Sequence, residues 1–139
     1  MIILDTNIIS ALMHHAPDTA VLRWLDEQPR ASVWTTAITV LEVRFGLEIM
    51  PDGRRLLARR EAFDSLIAEK LERRVAPFDA AAAQETAVLM GARQRRGEPR
   101  DLRDSMIGGI ALARHATIAT RNLRHFDDLG IEIVDPWKA

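Results

Sequence analysis

The chain has 139 residues, 47% hydrophobic and 28% charged, with a formal net charge of −1 and no cysteine. That length fits one domain, residues 1–139, with a buried core. The charge gives no bulk attraction to nucleic acid, and the missing cysteines exclude disulfides, thiolate catalysis and zinc–thiolate sites. No apolar run approaches bilayer-spanning length, and the first is too short for a signal peptide, so a cytoplasmic protein is expected.

Met1-Ile2-Ile3-Leu4 reads as a short buried strand that stops at Asp5. Asn7 to Leu12 and Pro17 to Glu27 are predicted helices, the second with Pro17 at its first position and Val21, Leu22 and Leu25 as its apolar stripe. Ser32 to Thr36 is β-like. Ile38 to Met50 returns to helical spacing through Leu41, Phe45 and Ile49, and Pro51-Asp52-Gly53 breaks it. Arg54 to Arg73 is predicted as one long amphipathic helix, with Leu56, Leu57, Phe63, Leu66, Ile67 and Leu71 on its apolar side. Val75 to Phe78 is a short strand candidate, and Asp79 suits the cap of the Ala-rich helix 80–95. Asp101 to His115 is helical, with Thr117 to Thr120 and Ile131 to Val134 as the closing strands. Alternating strands and helices predict an α/β fold with a mainly parallel sheet between helix layers.

In such sheets chemistry collects beyond the carboxyl ends of the strands. Three acids fall at that predicted edge: Asp5 after the first strand, Glu42 inside an apolar helical stretch, and Asp104 in the first turn of a helix. Singly, each has a plain structural use: Asp5 as a helix cap, Glu42 in a surface ion pair with Arg44, Asp104 in a capping arrangement with Asp101. Together they suit a hard divalent cation, because converging carboxylates resist ionisation unless a cation lies between them. Such an ion acidifies water and neutralises charge on a phosphodiester.

Four segments then match a known family in order: ILDTNIISAL, TTAITVLEVRFGL, DLRDSMIGGIALARHATIATRNLRHF and GIEIVDPW. The chain resembles the PIN-domain ribonucleases, specifically VapC/FitB-like toxins of type II toxin–antitoxin modules. The resemblance implies a three-layer α/β/α fold, Mg²⁺-dependent endoribonuclease activity (with Mn²⁺ as a substitute), and the catalytic acids Asp5, Glu42 and Asp104. It assigns Asp5 and Asp104 as metal ligands, with Thr6, Asn7 and Thr120 in support. It also implies a homodimer, a small VapB/FitA-like antitoxin, and structured RNA, often tRNA, as substrate. Many relatives carry a fourth acid where this chain has Asn122, which adds no charge and leaves a second metal open.

Arginine dominates the cations, with Lys70 and Lys138 the only lysines. Arg54, Arg55, Arg93, Arg96, Arg100 and Arg121 are the candidate RNA contacts, since the planar guanidinium suits phosphate. The alternative for each cluster is a solvated helix face or an acidic partner's docking site. The four histidines show no metal-like pairing and are expected at the surface. Trp24 and Trp34 are expected in the core, with Trp137 over an edge and no base-stacking platform. Gly108-Gly109 in a helix points to close packing against the sheet or a second subunit. Asp127 and Asp128 read as a turn before the last strand.

Two other functions compete. An aspartyl-phosphate mechanism on Asp5 lacks its second acid, because position 7 is Asn7, and lacks a lysine after a late strand. A catalytically weak PIN-like metal- or partner-binding module has Asn122 as its sequence support.

Overall fold

The computed structural model describes residues 1–139. Five short strands, β1 (Ile2–Leu4), β2 (Val33–Thr36), β3 (Val75–Ala76), β4 (Thr117–Ala119) and β5 (Ile133–Val134), form one sheet in the order β3-β2-β1-β4-β5. Every pairing is parallel. Helices α1 (Thr6–Leu12), α2 (Thr19–Asp26), α3 (Ala37–Glu48) and α4 (Arg54–Ser65) lie largely on one face, and α5 (Ala80–Arg95) and α6 (Leu102–Arg114) on the other.

The two faces follow from strand periodicity. In β1, Leu4 joins the core of Ile8, Val21, Val43 and Phe63, while its neighbour Ile3 joins that of Ala82, Ile107, Ile110 and Ile118. The central strand is buried on both sides, which is why its sequence is continuously apolar. From β1 the chain winds outward through β2 and β3, then returns to β1's other side as β4. The β1–β4 boundary is therefore the switch point of the sheet, where the following loops diverge and leave a crevice at the carboxyl edge.

Between α5 and α6 the backbones approach closely at Gly109, where a Cβ would meet Thr86 Oγ1 at 1.8 Å and the Ala82 carbonyl oxygen at 2.8 Å. Gly109 thus serves α5–α6 packing, and Gly108 lies against Leu89 of α5 and Leu129 of the segment between β4 and β5.

Three predicted elements shift. On α3 the stripe read as the core side faces outward, with Leu41 57%, Phe45 56% and Ile49 67% exposed, and Ile38, Thr39, Val43 and Leu47 are buried instead. This helix is apolar on two faces, so periodicity alone cannot choose between them. The long helix from Arg54 stops at Ser65, continues as a π-helical turn over Leu66–Lys70, and ends where Glu72 and Arg73 take left-handed backbone. Leu57, read as apolar-side, is 62% exposed. Pro17 lies outside α2, which Asp18 caps by accepting the Ala20 and Val21 amides.

Candidate active site

Asp5 ends β1 and is 3% exposed. It does cap α1: its Oδ1 accepts the Thr6 amide at 2.8 Å. The capping use leaves Oδ2 free for other partners, so the structural and functional readings of Asp5 are compatible. Oδ2 accepts the Thr120 hydroxyl at 2.8 Å and the Asn7 side-chain amide at 3.1 Å. Asn7 also donates to Thr120 Oγ1 at 3.1 Å, and its own Oδ1 accepts the Arg121 amide at 3.0 Å. Thr120 Oγ1 further accepts the Asn122 amide at 3.0 Å. The ends of β1 and β4 are thereby stitched together around one carboxylate.

Glu42 projects from the first half of α3. Thr6 Oγ1 donates to Glu42 Oε1 at 3.0 Å and lies 3.2 Å from Thr39 Oγ1. Thr39 is in turn tied to the α3 cap, Thr36, whose Oγ1 accepts the Thr39 amide at 3.1 Å. Arg44 pairs with Asp64 rather than with Glu42. At the start of α6, Asp101 is the cap and accepts the Arg103 and Asp104 amides, which leaves the Asp104 side chain free to face the crevice.

Asp5, Glu42 and Asp104 line one open cleft of about 820 Å³, together with Arg103, Asn122 and His125. Nearly all of its lining residues are polar or charged, unlike the mostly hydrophobic linings of pockets that hold drug-like ligands. All three carboxyl groups are pushed above their ordinary values, chiefly by burial. For Asp5 the Thr120 and Thr6 hydrogen bonds offset part of that and the Asp104 charge adds to it. For Glu42 the Thr6 hydrogen bond and Arg103 are the offsets. For Asp104 the offset is His125, opposed by Asp101 and Glu42. Neither Asp5 nor Asp104 has an arginine or lysine within ion-pair distance; the nearest cation, Arg103, is 3.9 Å from Glu42 Oε2.

His125 is at the surface as expected, its side chain 45% exposed, but it turns one ring nitrogen inward. Its Nδ1 is buried 3.0 Å from Asp104 Oδ2, yet out of line for a hydrogen bond. The pair is in contact but misaligned, a common state of catalytic groups before substrate arrives. The signal available in the sequence was its place, three residues beyond Asn122 in the segment leaving β4.

The candidate arginines separate. Arg93 is 1% exposed and fully engaged: Nε and Nη2 fork onto Asp128 at 2.8 Å each, Nη1 donates to Ser105 Oγ at 2.9 Å, and Nη2 donates to the His125 carbonyl. Arg93 is therefore corrected from an RNA contact to an internal strut. Arg96 and Arg100 also bond Asp128, and Arg100 reaches Asp127 as well. Arg54 and Arg55 are exposed on α4; Arg55 borders a hollow that shares His14 with the main cleft. Arg121 lines the main cleft itself.

This fold and this edge of acids define a class. The chain matches the PIN domain over residues 2–132, and it belongs to that family. It is 38% identical to the VapC ribonuclease Y4jK of Sinorhizobium fredii over 99% of both chains. It is 31% identical to a tRNA(fMet)-specific endonuclease VapC of Shigella flexneri over 96% of both. The crystal structure of FitAcB from Neisseria gonorrhoeae superposes with a TM-score of 0.89, at 29% identity and with 100% of both chains covered.

Proposed function

We propose that the chain is a divalent-metal-dependent endoribonuclease, the toxin of a toxin–antitoxin pair, acting on structured RNA such as tRNA in the cytoplasm. The observation that carries this reading is Asp5: a buried carboxylate sharing an open cleft with Asp104 and Glu42, with no arginine or lysine within ion-pair distance of it. The ribonuclease and tRNA endonuclease among its relatives support the choice of RNA.

The residues fit a hard divalent ion. The donors around Asp5 are oxygens, and burial plus mutual repulsion disfavours charging these acids unless positive charge arrives. The family resemblance assigns two of these acids, Asp5 and Asp104, as the protein's ligands, and both line the cleft. Two protein ligands, Asp5 and Asp104, are thus the set to expect, with waters completing the shell as Mg²⁺ favours. Asn122, where many relatives have an acid, argues for one ion rather than two. When bound, Mg²⁺ or Mn²⁺ supplies Lewis acidity, offsetting phosphodiester charge and acidifying water.

The chain's own residues do the rest. Thr6, Asn7 and Thr120 fix the Asp5 carboxylate before substrate binds, so no reorganisation is needed during reaction. Glu42 Oε2 accepts no hydrogen bond from Thr6 and has only Arg103 at 3.9 Å, so it is placed to take a proton from the attacking water. A small VapB/FitA-like antitoxin and a homodimer partner complete the proposal, and the outward stripe Leu41, Phe45 and Ile49 offers apolar surface for one of them.

Incubation of the purified chain with cellular RNA, in Mg²⁺ and in EDTA, followed by mapping of the new ends, tests this reading. Discrete metal-dependent cuts are expected. Asp5→Asn and Asp104→Asn should lose at least about a hundredfold, since even groups behind metal ligands cost 10–100-fold. Full cleavage by both variants contradicts the assignment. Metal binding without cleavage of any RNA would point instead to a PIN-like binding module.

A further inference from the structure

One wall of the cleft is not explained by the acids. Arg121 lies with its guanidinium over the Trp137 ring, 4.3 Å from the centroid, and both residues line the cleft with Asp5 and Asn122. Arg96, Arg100 and Arg103 each pair with a carboxylate, whereas Arg121 has none within ion-pair distance. Its backbone is pinned by the Asn7 side chain, the same group that holds Asp5, and the Trp137 amide is pinned by Asp135 Oδ1 at 2.9 Å. Trp137 is partly buried against the core that α1 and α3 cover, so its position is set from behind.

The order is therefore core, indole, guanidinium, open cleft. The guanidinium over the indole makes a cation–π pair, and Arg121 itself is exposed and lines the cleft. Unpaired RNA bases stack on aromatic rings and on arginine planes, and every base has such a face. Trp137 and Ala11 are the two hydrophobic residues among those lining the cleft, and Trp137 is the aromatic one.

Resting on the ribonuclease reading above, we infer that Arg121 and Trp137 form a nucleobase subsite, in which an unpaired base beside the cut stacks on the Arg121 guanidinium. Asn7 couples this subsite to the catalytic edge: it holds Arg121's backbone with one end of its amide and Asp5 with the other. Trp137 acts through Arg121 as a positioning residue.

The test is RNA binding by the full chain carrying Asp104→Asn, in EDTA, measured by fluorescence anisotropy. The probes are a short mixed-sequence oligoribonucleotide and an abasic ribose–phosphate oligomer of the same length. Adding Arg121→Ala should weaken binding of the base-bearing RNA roughly tenfold, with little effect on the abasic one. Arg121→Lys should lose nearly as much as Arg121→Ala, because it keeps the charge and not the plane. Trp137→Ala should lose nearly as much as Arg121→Ala on the base-bearing RNA, and Trp137→Phe, which keeps an aromatic face, should retain most of the affinity. Equal losses on both probes, or full rescue by Arg121→Lys, would overturn the subsite in favour of a plain phosphate contact. Unchanged binding of both probes would also overturn it. A parent protein that binds neither probe, together with a wild type that cleaves no RNA, would instead bring down the ribonuclease reading.

Discussion

Asp5 and Asp128 are both held by several hydrogen bonds, and their surroundings drive them in opposite directions. Asp128 takes Arg93, Arg96 and Arg100, and these hold its carboxyl far below the usual carboxylate range. Asp5 takes two neutral hydroxyl- or amide-bearing side chains and one backbone amide, faces another acid, and is pushed upward. The first arrangement stabilises the fold. The second works against it at neutral pH and makes sense as a site kept for an external cation and an anionic substrate. Arg93 also ties the two regions together, through Ser105, next to Asp104, and through the carbonyl of His125.

The largest expected effect comes from breaking the satisfied region. Arg93→Met removes the main partner of Asp128 while Arg96 and Arg100 remain, so the loss should be about 1.5–3 kcal/mol, below that of a buried charge left with no partner. Urea unfolding measures it, and a change below about 1 kcal/mol would show that the network contributes little.

A smaller effect is expected from loosening the unsatisfied region. Thr120→Val keeps shape and removes the hydroxyl that donates to Asp5. Cleavage should fall about 10–100-fold, the range for groups that orient a metal-binding carboxylate. Circular dichroism checks that the fold survives, and unchanged kcat would contradict the role.

The pH response separates the regions more finely. Asp128's pKa is depressed on folding, so its contribution is present above the ordinary carboxylate value near 4 and is lost as pH falls below it. Asp128→Asn should therefore flatten the acid limb of a stability-against-pH curve. Asp5 is raised, so its contribution is present at low pH and is lost as pH rises through its folded value. Asp5→Asn should remove that loss. Parallel acid limbs for wild type and Asp128→Asn would break the comparison.

Much of the frame was legible in the sequence, because strongly apolar strands and cap residues such as Asp79 and Asp101 act locally. Asp5 and Asp104 were legible because each sits at a strand or helix boundary, and Glu42 because it puts a charge inside an apolar helical stretch. What was not legible depends on contacts distant in sequence. Arg93 and Asp128 lie 35 positions apart, and nothing local distinguishes that arginine from its exposed neighbour Arg95. The stacking of Arg121 on Trp137 and the approach of His125 to Asp104 likewise arise only when the loops after β4 and β5 fold over the edge. On α3, two apolar faces left the choice to tertiary packing.

The claim that Asp5 is kept for a cation is tested most directly by thermal unfolding of wild type and Asp5→Asn at neutral pH, each in Mg²⁺ and in EDTA. Ligand at about a hundred times its Kd adds roughly 2.7 kcal/mol, several degrees for a chain of this size. Wild type should melt higher in Mg²⁺ than in EDTA, while Asp5→Asn should ignore the metal and melt at or above metal-free wild type. A wild type indifferent to Mg²⁺, or an Asp5→Asn protein melting well below it in EDTA, would contradict the account.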